Sequence, residues 1–419
     1  MINDANGDIK DEENIKRKQV VGVEFQDDIY ALAISNMIIH LDGRTNIYPG
    51  DCFKESEKVK KAFSPTIGFL NPPYKDVATD IEELKYVLNN LDTLRPGSTC
   101  IALVPLSCVI EPTVTAHHLK RQILSKHTLE AVMSMPEQLF HDSKANPVTC
   151  ALVITAHKPH TRGKKTWFGY WRDDGFDVVK NKGRIDKNNT WDGIRTKWVN
   201  TYKNREIIEG FSLTKEVQSE DEWCAEAYME TKYSKIPIAG YGQAVKDYYK
   251  YLSNNANSVK TVDTRTAMIR KTVPLDELFT PVSGISSAHV KRYPMKLDET
   301  YVPYIRPSHR QDTSIDAFVQ KENIDSKYIF SKGTLYVSTD GQGSHSYAYV
   351  SAYEFVPNSN VTVLLPKRKM SLQEKLYYAH CVTQNRYRFS YGRKPKGDRL
   401  KSIMLPQQPP KIISEYDIK

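Results

Sequence analysis

The segment Asn71-Pro72-Pro73-Tyr74 holds the residues of this chain best suited to chemistry on a ring-bound amine. Such an amine is a poor nucleophile because its lone pair is delocalised into the ring. Acceptors for its two N–H groups would localise that lone pair, and Asn71 offers a side-chain carbonyl while Pro72 offers a backbone carbonyl at a fixed φ. Tyr74 would stack on the ring, which is worth about 1–3 kcal/mol for a nucleobase. Taken alone, the four residues also fit an ordinary turn.

A strand must position this segment beside the ring whose amine it binds. The apolar residues 67–70 predict a buried strand that ends at Asn71, and two earlier strand-like stretches, 19–24 and 46–53, contain acids near their ends. In open α/β sheets, ligands bind beyond the carboxyl ends of the strands. There Glu24 can hold the two hydroxyls of a ribose and Asp51 can accept from an adenine amino group. For either acid alone, a solvated loop residue or a helix N-cap is the simpler interpretation.

Helix-length segments separate these strands, and apolar residues at helical spacing predict helices over 27–40 and 81–94. The resulting order, Glu24, then Asp51, then Asn71 to Tyr74, resembles the amino-type S-adenosylmethionine-dependent DNA methyltransferases. It is closest to the adenine-modifying branch found in type I and related restriction-modification systems. The resemblance implies that Glu24 holds the cofactor ribose, Asp51 the cofactor adenine, and Asn71, Pro72, Pro73 and Tyr74 the target base.

The resemblance continues further along the chain. Strands are predicted over 99–105 and 148–155, and the segment 132–140 between them matches the late part of the same domain. An aromatic residue at the position of Phe140 would, by the same resemblance, sandwich the flipped base with Tyr74.

One feature of the family is missing from the sequence. The glycine loop of nucleotide-binding sheets lies about 20 residues before the acid that holds the ribose. Counting back from Glu24 reaches Asp4, where Gly7 is the nearby glycine and no Gly-x-Gly occurs. We therefore expect an N-terminally truncated catalytic domain that lacks its first strand and glycine loop. Such a sheet would expose a strand edge, so we also expect it to require a complementary methyltransferase chain.

Composition limits the classes of protein and partner. The chain has 419 residues, enough for two or three domains, and a net charge of +9 that favours nucleic acid as a partner. Its six cysteines form no C-x-x-C pair, which indicates a reducing compartment without a zinc knuckle, and we predict no metal site. No apolar run is long enough to span a membrane, and no signal peptide opens the chain. The predicted location is the cytoplasm.

We divide the chain into a catalytic domain over 1–160, a connecting part over 161–271 and a target-recognition domain over 272–419. The connecting part has aromatic residues interleaved with basic ones at 162–172. This pattern fits either a nucleic-acid surface or a β-hairpin added to the sheet, and we favour the hairpin. The acidic stretch 216–222 is interpreted as a solvated connection. Beyond it, a helix is predicted over 238–251 and a linker over 252–263.

The C-terminal part combines short strands with one strongly basic segment. A helix is predicted from Ser371 to Gln384, because Ser371 is followed three residues later by a glutamate that completes a capping box. The run 386–401 carries seven basic residues against one acid, with aromatic residues among them. Residues 272–408, including a Gly-Gln-Gly turn at 341–343, resemble the target-recognition domain of type I specificity subunits. The predicted DNA-binding residues are Arg386, Arg388, Tyr391, Arg393, Lys394, Lys396 and Arg399.

The predicted fold is therefore α/β, a partial Rossmann-like methyltransferase sheet followed by an α+β target-recognition domain. The predicted function is methyl transfer from S-adenosylmethionine to adenine in double-stranded DNA, with a complementary methyltransferase chain and a restriction subunit as partners. Two alternatives remain open at this point. The chain can be a DNA-binding specificity protein without catalysis, or an enzyme that methylates glutamine amides or RNA bases.

Overall fold

The computed structural model describes residues 8–40, 46–141, 147–237, 239–250, 269, 271–341 and 343–414. The chain forms two compact units, Met1–Tyr228 and Met229–Lys419. The connecting part predicted over 161–271 is therefore divided between the units. Within the described ranges, no helix has both the length and the apolar composition needed to cross a membrane. The predicted linker at 252–263 lies outside the described residues.

The first unit alternates helices with mostly parallel strands near its start. Its helices are α1 Ile9–Lys18, α2 Asp27–Ile39, α3 Cys52–Phe63, α4 Glu83–Thr93, α5 Ser107–Ile110, α6 Val114–Lys126 and α7 Trp191–Lys203. Its strands are β1 Gly22–Glu24, β2 Ile47–Pro49, β3 Ile67–Leu70, β4 Thr99–Pro105, β5 Thr128–Ser134, β6 Thr149–Thr155, β7 Lys165–Tyr170, β8 Asp177–Val179, β9 Gly183–Ile185 and β10 Ser212–Glu216.

Six strands form the main sheet of this unit, in the order β10-β7-β5-β6-β4-β3. The central strands β4, β5 and β6 are largely buried, and β3 pairs in parallel with β4 at the end of the sheet. The prediction that residues 67–70 form a strand is confirmed, but the prediction that this strand is buried is wrong. Because β3 is the last strand, Ile67 and Phe69 are 59% and 74% exposed.

Strands β1 and β2 form a separate parallel pair, and Glu24 lies at the end of β1. The helix predicted over 27–40 is confirmed as α2. The strand predicted over 46–53 ends early, at Pro49, because the Asp51 side chain accepts a hydrogen bond from the Phe53 amide and starts α3. An N-cap of this kind satisfies a backbone donor that the first helical turn would otherwise leave unpaired.

The aromatic cluster at 167–171 packs inside the first unit. Trp167 and Phe168 are buried in β7, which joins the sheet in parallel beside β5 and pairs with β10 on its other side. The Trp171 ring stacks on Trp198 of α7 at 4.9 Å between centroids. The cluster thus belongs to a strand added to the sheet, as the favoured interpretation predicts, but the predicted hairpin is wrong, because β8, β9 and α7 lie between β7 and its antiparallel partner β10. The buried rings of Trp167 and Phe168 offer no surface to nucleic acid.

The second unit is an α+β structure. Its helices are α8 Ala239–Lys250, α9 Leu275–Leu278, α10 Leu372–Gln384, α11 Asp398–Lys401 and α12 Lys411–Ser414. Its strands are β11 Thr272–Pro274, β12 Phe279–Ser283, β13 Tyr301–Ile305, β14 Ile315–Gln320, β15 Leu335–Ser338, β16 Ala348–Val350, β17 Val356–Pro357, β18 Val361–Pro366 and β19 Met404–Pro406.

Helix α10 packs against the sheet β12-β18-β15-β16 to make the main core of this unit. The predicted capping box is present, since Ser371 accepts from the Glu374 amide and the Glu374 carboxylate accepts from the Ser371 amide. Gln342, in the middle of the predicted glycine turn, lies outside the described residues. With these two units, the predicted fold class is confirmed.

Candidate functional site

The segment Asn71-Pro72-Pro73-Tyr74 begins directly where β3 ends. Helix α4 packs under this strand so closely that a Cβ at Gly68 would lie 2.0 Å from the Asn90 side-chain oxygen. A larger residue at position 68 would require the Asn90 side chain to move. The close packing of helix and strand fixes the point at which the chain turns into Asn71.

The Tyr74 hydroxyl donates a hydrogen bond to the Asn71 side-chain oxygen at 2.9 Å. The Tyr74 ring also contacts Phe140, with 5.9 Å between centroids and the planes at 88°. Burial raises the pKa of the Tyr74 phenol, so the hydroxyl keeps its proton at neutral pH. The two aromatic residues predicted to hold a base thus lie together beside Asn71. Their edge-to-face arrangement differs from the predicted sandwich, in which both rings would lie parallel to the base.

A cavity of about 570 Å³ lies at the carboxyl ends of β1 and β3. Glu24, Asp51, Asn71, Pro72 and Pro73 all line it, so the structure brings together residues from three separate strand ends. Five of the six residues predicted for cofactor binding and catalysis share this one space, and Tyr74 adjoins it through its hydrogen bond to Asn71.

Both acids use one carboxylate oxygen to order the local backbone. Glu24 accepts from the Gln26 amide at 2.8 Å, and Asp51 accepts from the Phe53 amide at 2.9 Å. Each carboxylate has a second oxygen with which it can accept a hydrogen bond from a hydroxyl or an amine. The N-cap interpretation of Asp51 is therefore correct, and it is compatible with a binding role.

Sequence reasoning missed the apolar lining of this cavity. Phe25, Ile29, Phe53 and Tyr86 contribute to its walls, and the rings of Phe53 and Tyr86 lie 4.9 Å apart. The signals available were weak, because Phe25 simply follows the acid of β1 and Tyr86 belongs to an ordinary helical pattern. Aromatic walls with a few polar groups at one end are typical of small-molecule sites.

A buried ion pair near the start of the segment that leads to Phe140 was also missed. The Arg172 guanidinium pairs with the Glu226 carboxylate, and their side chains are only 9% and 2% exposed. Ser134 donates to the same carboxylate at 2.5 Å, while Arg172 donates to the Met135 carbonyl at 2.8 Å. Burial works to raise the pKa of Glu226, but Arg172 and Ser134 outweigh it and hold that pKa below its usual value. The pair fixes the start of the segment that leads to Phe140.

The residues predicted to bind DNA fall into two groups in the structure. Lys394 forms an ion pair with Asp340 at 2.9 Å, Lys396 donates to Asn360 at 2.8 Å, and the Arg386 guanidinium lies 3.8 Å from the Tyr347 ring centroid. The side chains predicted to bind DNA that are partly or fully exposed are Arg386, Tyr391, Lys394, Lys396 and Arg399.

Arg388 and Arg393 form the second group and are buried, with exposures of 7% and 3%. The Arg393 guanidinium donates to the Arg388 carbonyl at 2.7 Å and lies over the Phe389 ring. A side chain held in this way cannot reach a phosphate in this conformation. The predicted DNA contacts of Arg388 and Arg393 therefore do not fit the structure, because both side chains are buried and a backbone carbonyl holds that of Arg393 inside the unit.

Two family models match the chain. A model described as N-6 DNA Methylase matches residues 1–254, which is more than half of the chain. A model described as Type I restriction modification DNA specificity domain matches residues 271–410. These matches confirm both resemblances drawn from the sequence motifs.

Several known proteins are similar to parts of the chain. The type II restriction enzyme and methyltransferase RM.BcgI of Heyndrickxia coagulans is 29% identical over 189 residues, which are 44% of this chain and 29% of the relative. The chain thus spans less than a third of that relative's length. Among solved structures, the chain is similar to the M protein of the type I restriction enzyme EcoKI, with 18% sequence identity and a TM-score of 0.39. The match covers 46% of this chain and 44% of that one. The chain is also similar to the type IIG restriction endonuclease BpuSI, with 10% sequence identity and a TM-score of 0.34. That match covers 88% of this chain and 50% of the other.

Proposed function

Because the chain belongs to the N-6 DNA methylase family, we propose that it acts in transferring a methyl group from S-adenosylmethionine to the exocyclic amine of adenine in double-stranded DNA. The proposal extends to a restriction-modification system, since a DNA specificity domain model matches the second part of the chain. The observation that carries it is the shared cavity, where two strand-end acids meet Asn71, Pro72 and Pro73.

The residues of the cavity suit the proposed cofactor. Glu24 would accept from the ribose hydroxyls, and Asp51 would accept from the adenine amino group with the oxygen that does not cap α3. Phe53 and Tyr86 offer aromatic walls for the adenine ring. S-adenosylmethionine, when bound, supplies an electrophilic methyl group, so the protein has to supply alignment and a localised lone pair rather than a strong base.

Asn71 and Pro72 would perform that task on the target base. The Asn71 side-chain oxygen and the Pro72 carbonyl would accept from the two N–H groups of the amine, and Tyr74 and Phe140 would hold the base. A rotation of Tyr74 would release its hydroxyl from the Asn71 oxygen and would turn its ring out of the edge-on arrangement with Phe140, so that it can stack on the base. An adenine reaches this position by leaving the duplex, which costs a few kcal/mol.

The second unit would hold the duplex. Arg386, Lys394, Lys396 and Arg399 would supply phosphate contacts, with Tyr391 exposed among them. Lys394 and Lys396 would exchange Asp340 for phosphate oxygens on binding. A complementary methyltransferase chain and a restriction subunit are the proposed protein partners.

A second function is favoured by one observation. In the described residues, β1 and β2 do not join the six-stranded sheet, so no described strand closes the cavity between β1 and β3. A chain with such an incomplete cofactor site would act as a DNA-binding specificity protein, with its methyltransferase part as a docking surface.

Calorimetric titration of the full chain with S-adenosylmethionine separates the two functions. The enzyme proposal predicts binding near micromolar strength, about −8 kcal/mol, either alone or with the polypeptide encoded immediately upstream. It also predicts transfer of labelled methyl groups to DNA and its loss in the Asn71→Ala variant. DNA binding without cofactor binding in either preparation would reject the enzyme proposal and leave the specificity protein.

A further inference from the structure

The segment 171–211 leaves the main sheet of the first unit after β7 and returns to it at β10. Strand β7 runs parallel to β5, and β10 pairs antiparallel with β7, with Ser212 opposite Gly169. The segment therefore begins and ends at the edge where the parallel strands have their carboxyl ends. We call it the edge insertion, and it contains β8, β9 and α7.

The same edge of the sheet carries the candidate site. Strand β6 pairs antiparallel with both β4 and β5, so these two run in one direction, and β3 is parallel to β4. The carboxyl ends of β3, β4, β5 and β7 consequently share one edge. Asn71 follows β3 there, and the segment that leads to Phe140 follows β5. The Trp171 amide, at the start of the edge insertion, donates to the Ser134 carbonyl at the end of β5 at 2.9 Å.

Specific contacts hold the edge insertion in a defined structure. Arg184 of β9 pairs with the Asp174 carboxylate at 2.6 Å, and these side chains are only 12% and 10% exposed. The Asp186 carboxylate accepts from two backbone amides at the start of α7. Helix α7 is in turn held beside the end of β7 by the stacked rings of Trp171 and Trp198. The hairpin of β8 and β9 and the helix are thus both anchored at this edge of the sheet.

Positive charge is concentrated in the edge insertion. Residues 180–205 contain eight basic residues against two acids, a net charge of +6, while the entire chain carries +9. Of the two acids, Asp186 is engaged by backbone amides and Asp192 pairs with Arg195 at 3.1 Å. The exposed basic side chains are Lys180, Lys182, Lys187, Arg195, Lys197, Lys203 and Arg205. A folded surface with this charge attracts a polyanion.

Two of these lysines lie at the tip of the hairpin formed by β8 and β9. Val179 pairs with Gly183, so the tip consists of Lys180, Asn181 and Lys182, and all three are exposed. Asn181 closes the turn at a φ of 62°, a conformation that asparagine adopts more readily than most residues. Among the described residues, no carboxylate forms an ion pair with either lysine. Both can therefore bind an anion without first giving up a partner.

We propose that the edge insertion is a DNA-binding surface of the first unit, which holds the phosphates next to the base that enters the candidate site. Its lysines contact phosphates, so it binds duplexes of any sequence. The hairpin tip offers lysine and asparagine and no large apolar side chain of the kind that membrane insertion requires, so a nucleic acid is the polyanion that fits. The choice of DNA rests on the proposed function, whereas the anchored basic surface does not.

Salt-dependent DNA binding by the full chain tests the proposal. The probe is a fluorescently labelled DNA duplex of arbitrary sequence, and binding is followed by anisotropy. The double variant Lys180→Gln with Lys182→Gln should lower the slope of log K against log salt by about 1.8, because each lost phosphate contact removes about 0.9. Binding at about 0.1 M salt should weaken by about 10–100-fold. The loss should be the same for duplexes of different sequence, because phosphates are common to all of them.

A matched control removes the same charge from the opposite edge of the sheet. Lys126 precedes the start of β5 and Lys158 follows the end of β6, and both are exposed at the amino edge of the parallel strands. Lys126→Gln with Lys158→Gln should leave the slope unchanged, and Lys180→Arg with Lys182→Arg should preserve it because the charge remains. An unchanged slope in the hairpin variant, or an equal fall in the amino-edge control, would overturn the proposal.

These outcomes are distinct from those of the proposed function. DNA binding that depends on Lys180 and Lys182, in a chain that transfers no methyl group, supports the surface and counts against the proposed enzyme alone. Full methyl transfer by the hairpin variant, together with an unchanged salt slope, counts against the surface alone.

Discussion

Replacing Glu226 with glutamine should destabilise the first unit strongly. The substitution keeps the side-chain size and removes the charge, which leaves the Arg172 guanidinium buried without its counter-ion. Breaking a buried ion pair in this way costs about 3–5 kcal/mol. At about 2–4 °C per kcal/mol for a unit of this size, the melting temperature should fall by about 6–20 °C. Differential scanning calorimetry and guanidinium unfolding of the full chain measure the change.

Two further variants make this test specific. Replacing both partners with apolar residues, Arg172→Met with Glu226→Leu, should recover most of the loss, because no unpaired charge remains. The exposed pair of Arg121 with Glu220 serves as the control, and Glu220→Gln should leave the melting temperature unchanged. A loss below about 1 kcal/mol for Glu226→Gln, the size expected of a surface pair, would refute the reasoning. A double variant as unstable as the single one would refute it as well.

The same pair predicts a pH dependence. The pKa of Glu226 in the folded chain lies below its ordinary value of 4.5, so the unfolded chain binds this proton more readily. The stabilisation is therefore fully present above about pH 4.5 and is lost as the pH falls through the lower folded pKa. The difference in melting temperature between the wild type and Glu226→Gln should be constant near neutral pH and should shrink below pH 4. If the difference in melting temperature grew as the pH fell, the folded pKa of Glu226 could not lie below its ordinary value.

Six other substitutions, at five positions, test the candidate site and the predicted DNA-binding residues. Asn71→Ala should reduce kcat for methyl transfer by about 10²–10³-fold, the usual effect of losing one preorganised polar group, with cofactor binding retained in calorimetry. Asp51→Ser should keep the α3 cap and weaken cofactor binding, while Asp51→Ala should also lose about 0.5–2 kcal/mol of stability in guanidinium unfolding. Tyr74→Phe should keep methyl transfer because the stacking ring remains, and an inactive variant would assign the hydroxyl a direct role. Lys396→Gln should lower the slope of log K against log salt for DNA by about 0.9, whereas Arg393→Gln should lower thermal stability because its side chain is buried.

The sequence predicts the site best where the residue type itself carries the chemistry. Asn71 to Tyr74 stand out because an amide, two prolines and an aromatic ring directly after an apolar strand serve few purposes other than this chemistry. Glu24 and Asp51 follow from their positions near strand ends, and the structure places both in one cavity with Asn71. What the sequence does not predict is the wall of that cavity, since Phe53 and Tyr86 come together only through the packing of α3 on α4.

Burial is the property that local sequence predicts least well. The apolar run containing Phe69 predicts a covered strand, yet coverage depends on neighbours that the run does not encode, and Phe69 is exposed. The reverse holds for Arg393, where a run of positive charge predicts a surface and a nearby carbonyl draws the side chain inside. Arg172 and Glu226 are separated by 54 positions, so no local pattern indicates that they pair.

Asp51 couples the fraying of helix α3 to the binding of a ligand in the cavity, two equilibria that are usually independent. One oxygen of its carboxylate closes the first turn of α3, and the same side chain lines the cavity. A ligand that binds Asp51 restrains its rotation and thereby slows fraying of α3, and a well-formed α3 in turn holds the acceptor ready for the ligand. By linkage the two effects are equal in free energy. Ligand occupancy should therefore be readable as slower hydrogen exchange at the Phe53 amide.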